Sequence, residues 1–523
     1  MQVRMIAIFV VAITFTFSSC DIGTGSNQPI VGTYGYFSWR SVDGEITITR
    51  YNGSEREVNI PSQINGKPVT AIGDQAFFRN QLTKVVIPDS VRTIGEWAFA
   101  VNRLTELSIG SGVTRIERSA FLENQLTQVD IPGSVIYLSG FQRNRLTQIT
   151  IPDGVRTIGR DAFSGNELTQ VTIPDSVRDI EAHAFSRNRL TEIRIPDSVR
   201  TIGNSAFFNN RLNQVIIGSS VRTIGDAAFE DNRLTRVIIP CSVTSIGWTA
   251  FSRNQLTELV IGNSVTNIGS LAFRNNRLAE VTIGNSVTSI GWAAFADNQL
   301  TQLVIPNSVT SIGERAFYNN RLTKVTIGNR VRTIEESAFR NNRLAEVTIG
   351  NSVTSIGWAA FAGNQLTQLA IPNSVTSIGI RAFKNNQLSE VSIGSRVRVI
   401  GDYAFQDNRL TEVTIPRSVT AIGPSAFADN QLSLLVIPGG ITTIWDSAFR
   451  SNRLTELVIP RSVTAIWHMA FADNQLTRVT IGAGVHLDQN VIGGGFENAY
   501  NESGRAAGIY TRPNANSTSW TRQ

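Results

Sequence analysis

The chain has 523 residues, 47 Lys and Arg against 41 Asp and Glu for a net charge of +6, with 41% hydrophobic and 17% charged residues. That balance excludes an intrinsically disordered polymer, which lacks the apolar surface to fold, and two cysteines exclude a disulfide framework. Length alone would suggest about three or four domains, but a short internal period replaces several globules by one solenoid.

The first twenty residues, MQVRMIAIFVVAITFTFSSC, are read apart from the fold. Arg4 makes a small basic region, and Ile6 to Phe17 make an apolar stretch of twelve, too short to span a bilayer and suited to a secretory signal over 1–19. Small Ser18 and Ser19 then precede Cys20. The segment resembles a bacterial lipoprotein signal, in a relaxed form with Phe17 where Leu is usual. The resemblance implies that Cys20 is lipidated and becomes the mature N-terminus, with 20–29 as a tether. An ordinary secretory signal cut near Ser19 is the alternative, and both export the protein.

Residues 34–51, YGYFSWRSVDGEITITRY, hold two strand-like runs around Asp43-Gly44, a favoured hairpin turn. They predict an N-terminal cap over 30–59. From there Leu82, Leu104 and Leu126 lie 22 residues apart, and after one step of 20 the spacing continues from Leu146 to Leu476. With each Leu as zero, position +5 is always Ile, −5 always Phe and −2 always Asn. The unit L-x-x-V-x-I-(P/G)-x-x-V-x-x-I-G-x-x-A-F-x-x-N-x recurs in nineteen copies, and a partial copy precedes them, which sets a solenoid over 60–485.

Within a copy, apolar +3 and +5 alternate with polar +2 and +4, the period of a strand with one buried face. Pro or Gly at +6 ends it. Val at +9 and Ile at +12 frame a second short strand, and A-F-x-x-N predicts a helical or 3₁₀ turn. Stacked coils then bury columns of like residues, with Phe295 and Phe317 in the Phe column. Asn at −2, as in Asn166 and Asn298, is the polar residue expected to face inward, its amide bonding a donor and an acceptor of neighbouring turns.

This motif resembles the BspA-type leucine-rich repeat of bacterial surface proteins over about residues 45–485, with Asn80 and Asn102 where that family commonly has Cys. The resemblance implies a β-rich, right-handed superhelix of about twenty 22-residue coils, capped at both ends. It also implies adhesion to host matrix proteins and co-aggregation with other bacteria. The tail AGIYTRPNANSTSWTRQ is similar to C-terminal segments of treponemal members, which with the relaxed signal suggests a spirochaete.

Arg156, Arg178, Arg200 and Arg222 recur at +10, and Asp153, Asp175 and Asp197 stand three residues earlier in the first three of those coils. A solvated ion-pair ladder is the reading of this column, with an anion site as the alternative. Cys241 takes a position where other copies carry Asp, Asn, Ser or Arg, and reads as a free surface thiol or as one end of an intermolecular bridge. Further along, the outward positions of the first strand make two columns. One holds Glu258, Glu280, Gln302, Lys324, Glu346, Gln368, Glu390 and Glu412; the other runs through Val260, Thr282, Val304 and Thr326. Apolar groups rimmed by polar ones suit a protein interface, and equally suit a solvated sheet of good strand formers. Beyond Val485, Phe496, Tyr500, Tyr510 and Trp520 predict a C-terminal cap over 486–523.

No pattern for catalysis, metal or cofactor is found: His183, His468 and His486 are far apart in sequence, and no phosphate-cradling or nucleophile motif occurs. The chain therefore reads as a binding protein and not an enzyme, monomeric, with no cofactor and no nucleic acid partner, held at an outer membrane or cell surface through its lipid. Two functions stand open: an adhesin that engages extracellular or surface proteins through its sheet face, and an envelope scaffold or spacer. Residues 275–320 and 341–386 differ only at Asp297/Gly363, Val304/Ala370, Glu314/Ile380 and Tyr318/Lys384, the trace of a duplicated three-coil block.

Overall fold

A 22-residue coil with seven inward apolar positions cannot bury them alone, so its structure is decided by the coil beneath it. The computed structural model describes residues 29–523. Cys20, the signal segment and nearly all of the tether lie outside the described residues. The chain is a β-solenoid of about twenty coils.

Strands β1 (Ile30–Tyr34), β2 (Phe37–Val42) and β3 (Glu45–Tyr51) open it as an antiparallel meander. Asp43 (φ 52°) and Gly44 (φ 84°) both take the left-handed region, as the tight turn between β2 and β3 requires. Strand β3 then lies parallel to Lys67–Ile72, and that switch starts the stack. From Lys67–Ile72 to Ala421–Ile422, the short second strand of each coil pairs in parallel with its neighbours, 22 residues away in the regular coils.

Packing follows the columns. The repeat Phe rings, from Phe77 to Phe471, lie 4.7–5.9 Å apart and within 17° of parallel, an offset stack running the length of the molecule. Tyr51 stacks on Phe77 at 5.3 Å and closes the column at its start. At the far end Phe496, Tyr500, Tyr510 and Trp520 are buried, and helix α1 (Phe496–Glu502) carries the first two of them. The Tyr500 hydroxyl donates to the Gly482 carbonyl (2.6 Å), and strand Gly508–Thr511 pairs antiparallel with Arg478–Ile481, covering a strand edge that would otherwise be open.

The A-F-x-x-N segment does not form a run of helix. It folds as two separate turns, each closed by a bond to the third residue back (Ala294 N–H to Gly291 O, 3.3 Å; Ala296 N–H to Ala293 O, 3.1 Å). Ala293 (φ 49°) and Asp297 (φ 57°) between them are left-handed, a conformation costing an L-residue about 1–2 kcal/mol. The freed N–H groups point to the next coil instead: those of Ala293, Phe295 and Asp297 donate to the carbonyls of Glu314, Ala316 and Tyr318 at 2.8, 2.8 and 2.9 Å. A helix would have consumed those donors internally. The 20-residue coil omits this corner, and Gly140 (φ 97°) turns the chain directly into Phe141. The Arg118 guanidinium reaches Asp161 at 3.1 Å across the notch, linking coils two apart.

Phe295, fully buried in mid-stack, tests this picture. Phe295→Ala should cost about 3–5 kcal/mol, and faster hydrogen exchange should be confined to its own coil and the adjacent ones, since in the regular stack the core of a coil packs on its immediate neighbours. Uniform acceleration along the chain would contradict a stack of nearest-neighbour contacts.

Candidate binding face

The first strand of each coil presents +2 and +4 outward and buries +3. Glu258, Gln302, Lys324, Glu346, Gln368, Glu390 and Glu412 are exposed in one row. Glu280 and Thr282 are exposed on a coil whose first strand is not formed, while Thr326 is half-buried. Part of the row is self-paired: Lys324 reaches Glu346 at 3.0 Å and Arg236 reaches Glu258 at 2.9 Å. In the +4 row, Val260 is joined by apolar side chains that the sequence reading passed over, Ile216, Ile238, Val436 and Val458, and Val304 is 65% exposed.

Unlike the second ladder, the first is broken into short groups, and position +6 decides where. Pairing stops before the coils carrying Pro132, Pro196, Pro240, Pro306, Pro372, Pro416 and Pro460. Coils with Gly110, Gly218, Gly262, Gly328, Gly350 and Gly394 pair with the coil before. At these glycines a Cβ would press into the preceding coil's +6 carbonyl, so only glycine permits the approach. A proline ring there is bulkier, and at the seven coils named it coincides with a break in the pairing. At Gly284 an added Cβ would still lie 3.8 Å from Gly262 O, and that coil does not pair, while the coils of Pro88, Pro174 and Pro438 do pair with the one before.

Three of these openings are slots. The one before Pro240, about 730 Å³, has Val215 and Ile217 as its floor, Ile216 and Ile238 as walls, and Gln214 and Arg236 at its rim. Its two strands keep Cα atoms within 8 Å, too close to admit another strand, which needs about 4.8 Å on either side, and wide enough for a side chain. Similar slots precede Pro196 and Pro306.

The turn face carries a second groove of about 710 Å³ running from Trp97 past Arg118, Asp161 and His183 to Trp248. Trp248 and Trp292 are exposed there, and the Arg340 guanidinium lies 5.4 Å over the Trp358 ring. Nearer the C-terminus Trp445 stacks on Trp467 at 5.9 Å.

The Asp–Arg ladder expected at +7 and +10 does not form. Arg178 bonds only the backbone carbonyl of Asp175 (3.4 Å), and Arg156, Arg200 and Arg222 meet no carboxylate among the described residues. Of the three aspartates Asp197 serves the backbone, accepting the Ser219 N–H at 2.7 Å, as Asp89 at the same position of an earlier coil accepts that of Ser111. These amide bonds, then the serine hydroxyls, hold both carboxyls below the usual carboxylate range.

Asn166 and Asn298 lie in the buried Asn column and Phe317 in the Phe stack. The Asn298 amide nitrogen donates to the carbonyls of Phe273 (2.9 Å) and Phe295 (3.2 Å), and its oxygen accepts the Leu278 N–H (3.1 Å). Cys241 is exposed and free. Among the described residues no cluster of His, Cys, Asp or Glu could hold a metal, and no helix is long and apolar enough to cross a membrane.

Stacked 22-residue coils with a Leu, Asn and Phe column define the class as a leucine-rich-repeat solenoid. The model of the BspA type leucine rich repeat region matches residues 51–140, 134–257, 244–367 and 354–478, and the chain belongs to that family. Such proteins are typically surface-associated, and their repeats serve as protein-binding scaffolds. The chain is similar to a leucine-rich repeat protein from Bacteroides ovatus at 23% identity over 73% of this chain and 92% of that one (TM-score 0.47). It is similar to a leucine rich cell surface protein from Faecalibacterium prausnitzii at 24% over 78% and 96% (TM-score 0.36), and to the T. pallidum leucine rich repeat protein at 24% over 46% and 84% (TM-score 0.22). No curated protein matches the chain.

Gly218 offers a direct test of how +6 spaces the coils. Gly218→Ala should break the pairing between Glu192–Arg194 and Gln214–Ile216 and cost about 1–3 kcal/mol as overpacking against backbone. The Ile195 N–H, bonded to Ile216 O at 2.8 Å, should lose its exchange protection; unchanged protection would show that +6 does not set the spacing.

Proposed function

We propose that the protein is a lipid-anchored cell-surface module of spirochaete type, an adhesin that binds host matrix or bacterial surface proteins through its first-strand face, as a monomer. The observation that carries this reading is the +4 row of exposed Ile216, Ile238, Val260 and Val304 beside proline-opened slots with apolar floors. Apolar anchors entering such slots, ringed by polar groups, are what dominate protein interfaces. With strands about 4.8 Å apart, roughly twenty coils give a body on the order of 95 Å long, more than one ligand pocket needs. A repeated face of that length favours an extended or multivalent partner, whose weak contacts add through effective concentration.

Two experiments bear on this. In the variant Ile216→Ser, Ile238→Ser, Val304→Ser, all three changes are on the solvent side, so thermal stability should hardly move. Capture of surface-immobilised matrix proteins should fall by about tenfold or more, as loss of central anchors does. Capture equal to wild type would move the site to the turn face with Trp248 and Trp292, or remove the adhesin reading.

The second concerns the anchor. Cells fed a palmitate analogue should label the wild-type chain and not Cys20→Ser, and the unlabelled variant should leave the membrane fraction. Equal labelling of both would end the lipoprotein reading while leaving the binding face untouched.

A further inference from the structure

Position −1, directly before each repeat Leu, forms a row between the turn face and the sheet face. Ten of nineteen coils carry Arg there, among them Arg211, Arg233, Arg277, Arg321 and Arg343; eight carry Gln, and one carries Glu167. The row therefore holds a charge of +9 against +6 for the whole chain, so everything else sums to −3. All ten arginines are exposed. Arg189 pairs with Glu167 at 3.0 Å, and the other nine have no side-chain partner among the described residues.

Six of its ten arginines have Glu three residues on at +2, as Arg277 with Glu280 and Arg343 with Glu346, but no ion pair joins the two rows among the described residues. Position +1 is Thr, Ser, Ala or Asn throughout, and −2 is the buried Asn. At −3, Asp231, Asp297, Asp407 and Asp473 are already paired with Arg253, Arg274, Lys384 and Arg450 on the turn side. The row is also held in pitch. Each −1 backbone N–H donates to the Leu carbonyl of the coil before, as Arg211 to Leu190 (3.0 Å), Arg233 to Leu212 (2.9 Å) and Arg277 to Leu256 (2.9 Å). Like charges in register on adjacent coils repel, and Arg189–Glu167 is the one ion pair the row forms among the described residues; a bound polyanion would relieve the rest.

We propose that this row binds a linear anionic polysaccharide, one bearing sulfate or carboxylate groups, laid along the solenoid. The guanidinium fork matches both oxyanions bidentately. The intervening Gln amides and the Thr hydroxyls at +1 supply neutral hydrogen bonds to sugar hydroxyls. A pyranose unit is about as long as one coil is thick, so successive units meet successive coils. No aromatic residue stands at −3, −1 or +1, so the row lacks the stacking platforms with which proteins hold single-stranded nucleic acid. The row adjoins the slot before Pro240, which Asn213 and Thr235 at +1 also line, but the −1 arginines line none of the slots described, so substitutions at −1 separate the two bindings.

The test uses immobilised heparin and the exported chain. Arg211→Gln, Arg233→Gln, Arg277→Gln places at three coils the residue that eight others already hold, so folding should be kept. The control Arg156→Thr, Arg178→Thr, Arg200→Thr makes the same charge change at +10, where other coils hold Thr. At physiological salt the first variant should bind heparin roughly 100-fold more weakly, from three lost contacts of about 1 kcal/mol each. Its binding should also fall less steeply with salt. The control should stay within a few-fold of wild type, and neutral dextran should not bind any of the three. Equal weakening in both variants would reduce the effect to net charge and overturn the site. Duplex DNA or anionic phospholipid vesicles binding as tightly as heparin, through the same arginines, would overturn the ligand class.

Discussion

The asparagine side chain at −2 is the constraint from which the other columns follow. It is buried from Asn102 to Asn452, and a buried amide is costly unless its groups are bonded. In the regular coil its nitrogen reaches one Phe carbonyl in its own coil and one in the coil before, and its oxygen takes the preceding coil's Leu N–H; Asn232 does this at 3.1, 2.9 and 3.0 Å. A coil slipped by one residue would leave an N–H and two carbonyls unpaired under the stack, at about 1–3 kcal/mol each. Register is thereby fixed at every step by a polar group, while the apolar columns alone would tolerate sliding.

Once register is fixed, every outward position becomes a straight row, and rows of unlike chemistry coexist around one core. The turn row can use left-handed residues as bulky as Trp97, Leu271 and Tyr403 because cross-coil hydrogen bonds, not local preference, set its backbone. Glycine at +6 lets coils draw together and proline there coincides with breaks in the pairing, so the sheet face is punctuated by slots while the second ladder remains continuous to Ala421–Ile422. Shape on one face is thus tuned without touching the core.

Most of the fold was legible because a period is a statement about packing. The Leu, Ile, Phe and Asn columns followed from spacing and polarity alone. The turns were harder. At −3 the frequent Asn, Asp and Gly hint at left-handed backbone, but at −7 the residues carry no such signal, so a tight turn with bonds to the third residue back was legible and its left-handed corners were not. The +10 arginines misled for a different reason. Opposite charges three residues apart invite an ion pair, yet Asp197 is claimed by a backbone amide of the following coil, which sequence does not place, and the carboxylates of Asp153 and Asp175 pair with no arginine among the described residues. At +6, Pro and Gly read alike as strand ends, and their opposite effects on coil spacing emerge only where a Cβ is measured against the neighbouring carbonyl.

The duplicated blocks show which surfaces bear change. Of the four differences between 275–320 and 341–386, Asp297/Gly363, Glu314/Ile380 and Tyr318/Lys384 fall on the turn side, at −3, −8 and −4, and Val304/Ala370 falls at +4. None falls at −1, where Arg277 and Gln299 recur as Arg343 and Gln365, or at +2, where Glu280 and Gln302 recur as Glu346 and Gln368. Asp297 is paired with Arg274, yet its counterpart is glycine, so that ion pair is dispensable to the stack, as exposed pairs generally are. The turn side varies because its backbone is held from the next coil. The −1 and +2 rows are no better buried, and nothing in the core requires Arg, Gln or Glu at them. Repetition of the coil keeps the two rows in phase with coil number, so that adding coils lengthens a cationic edge and a mixed polar and apolar face together.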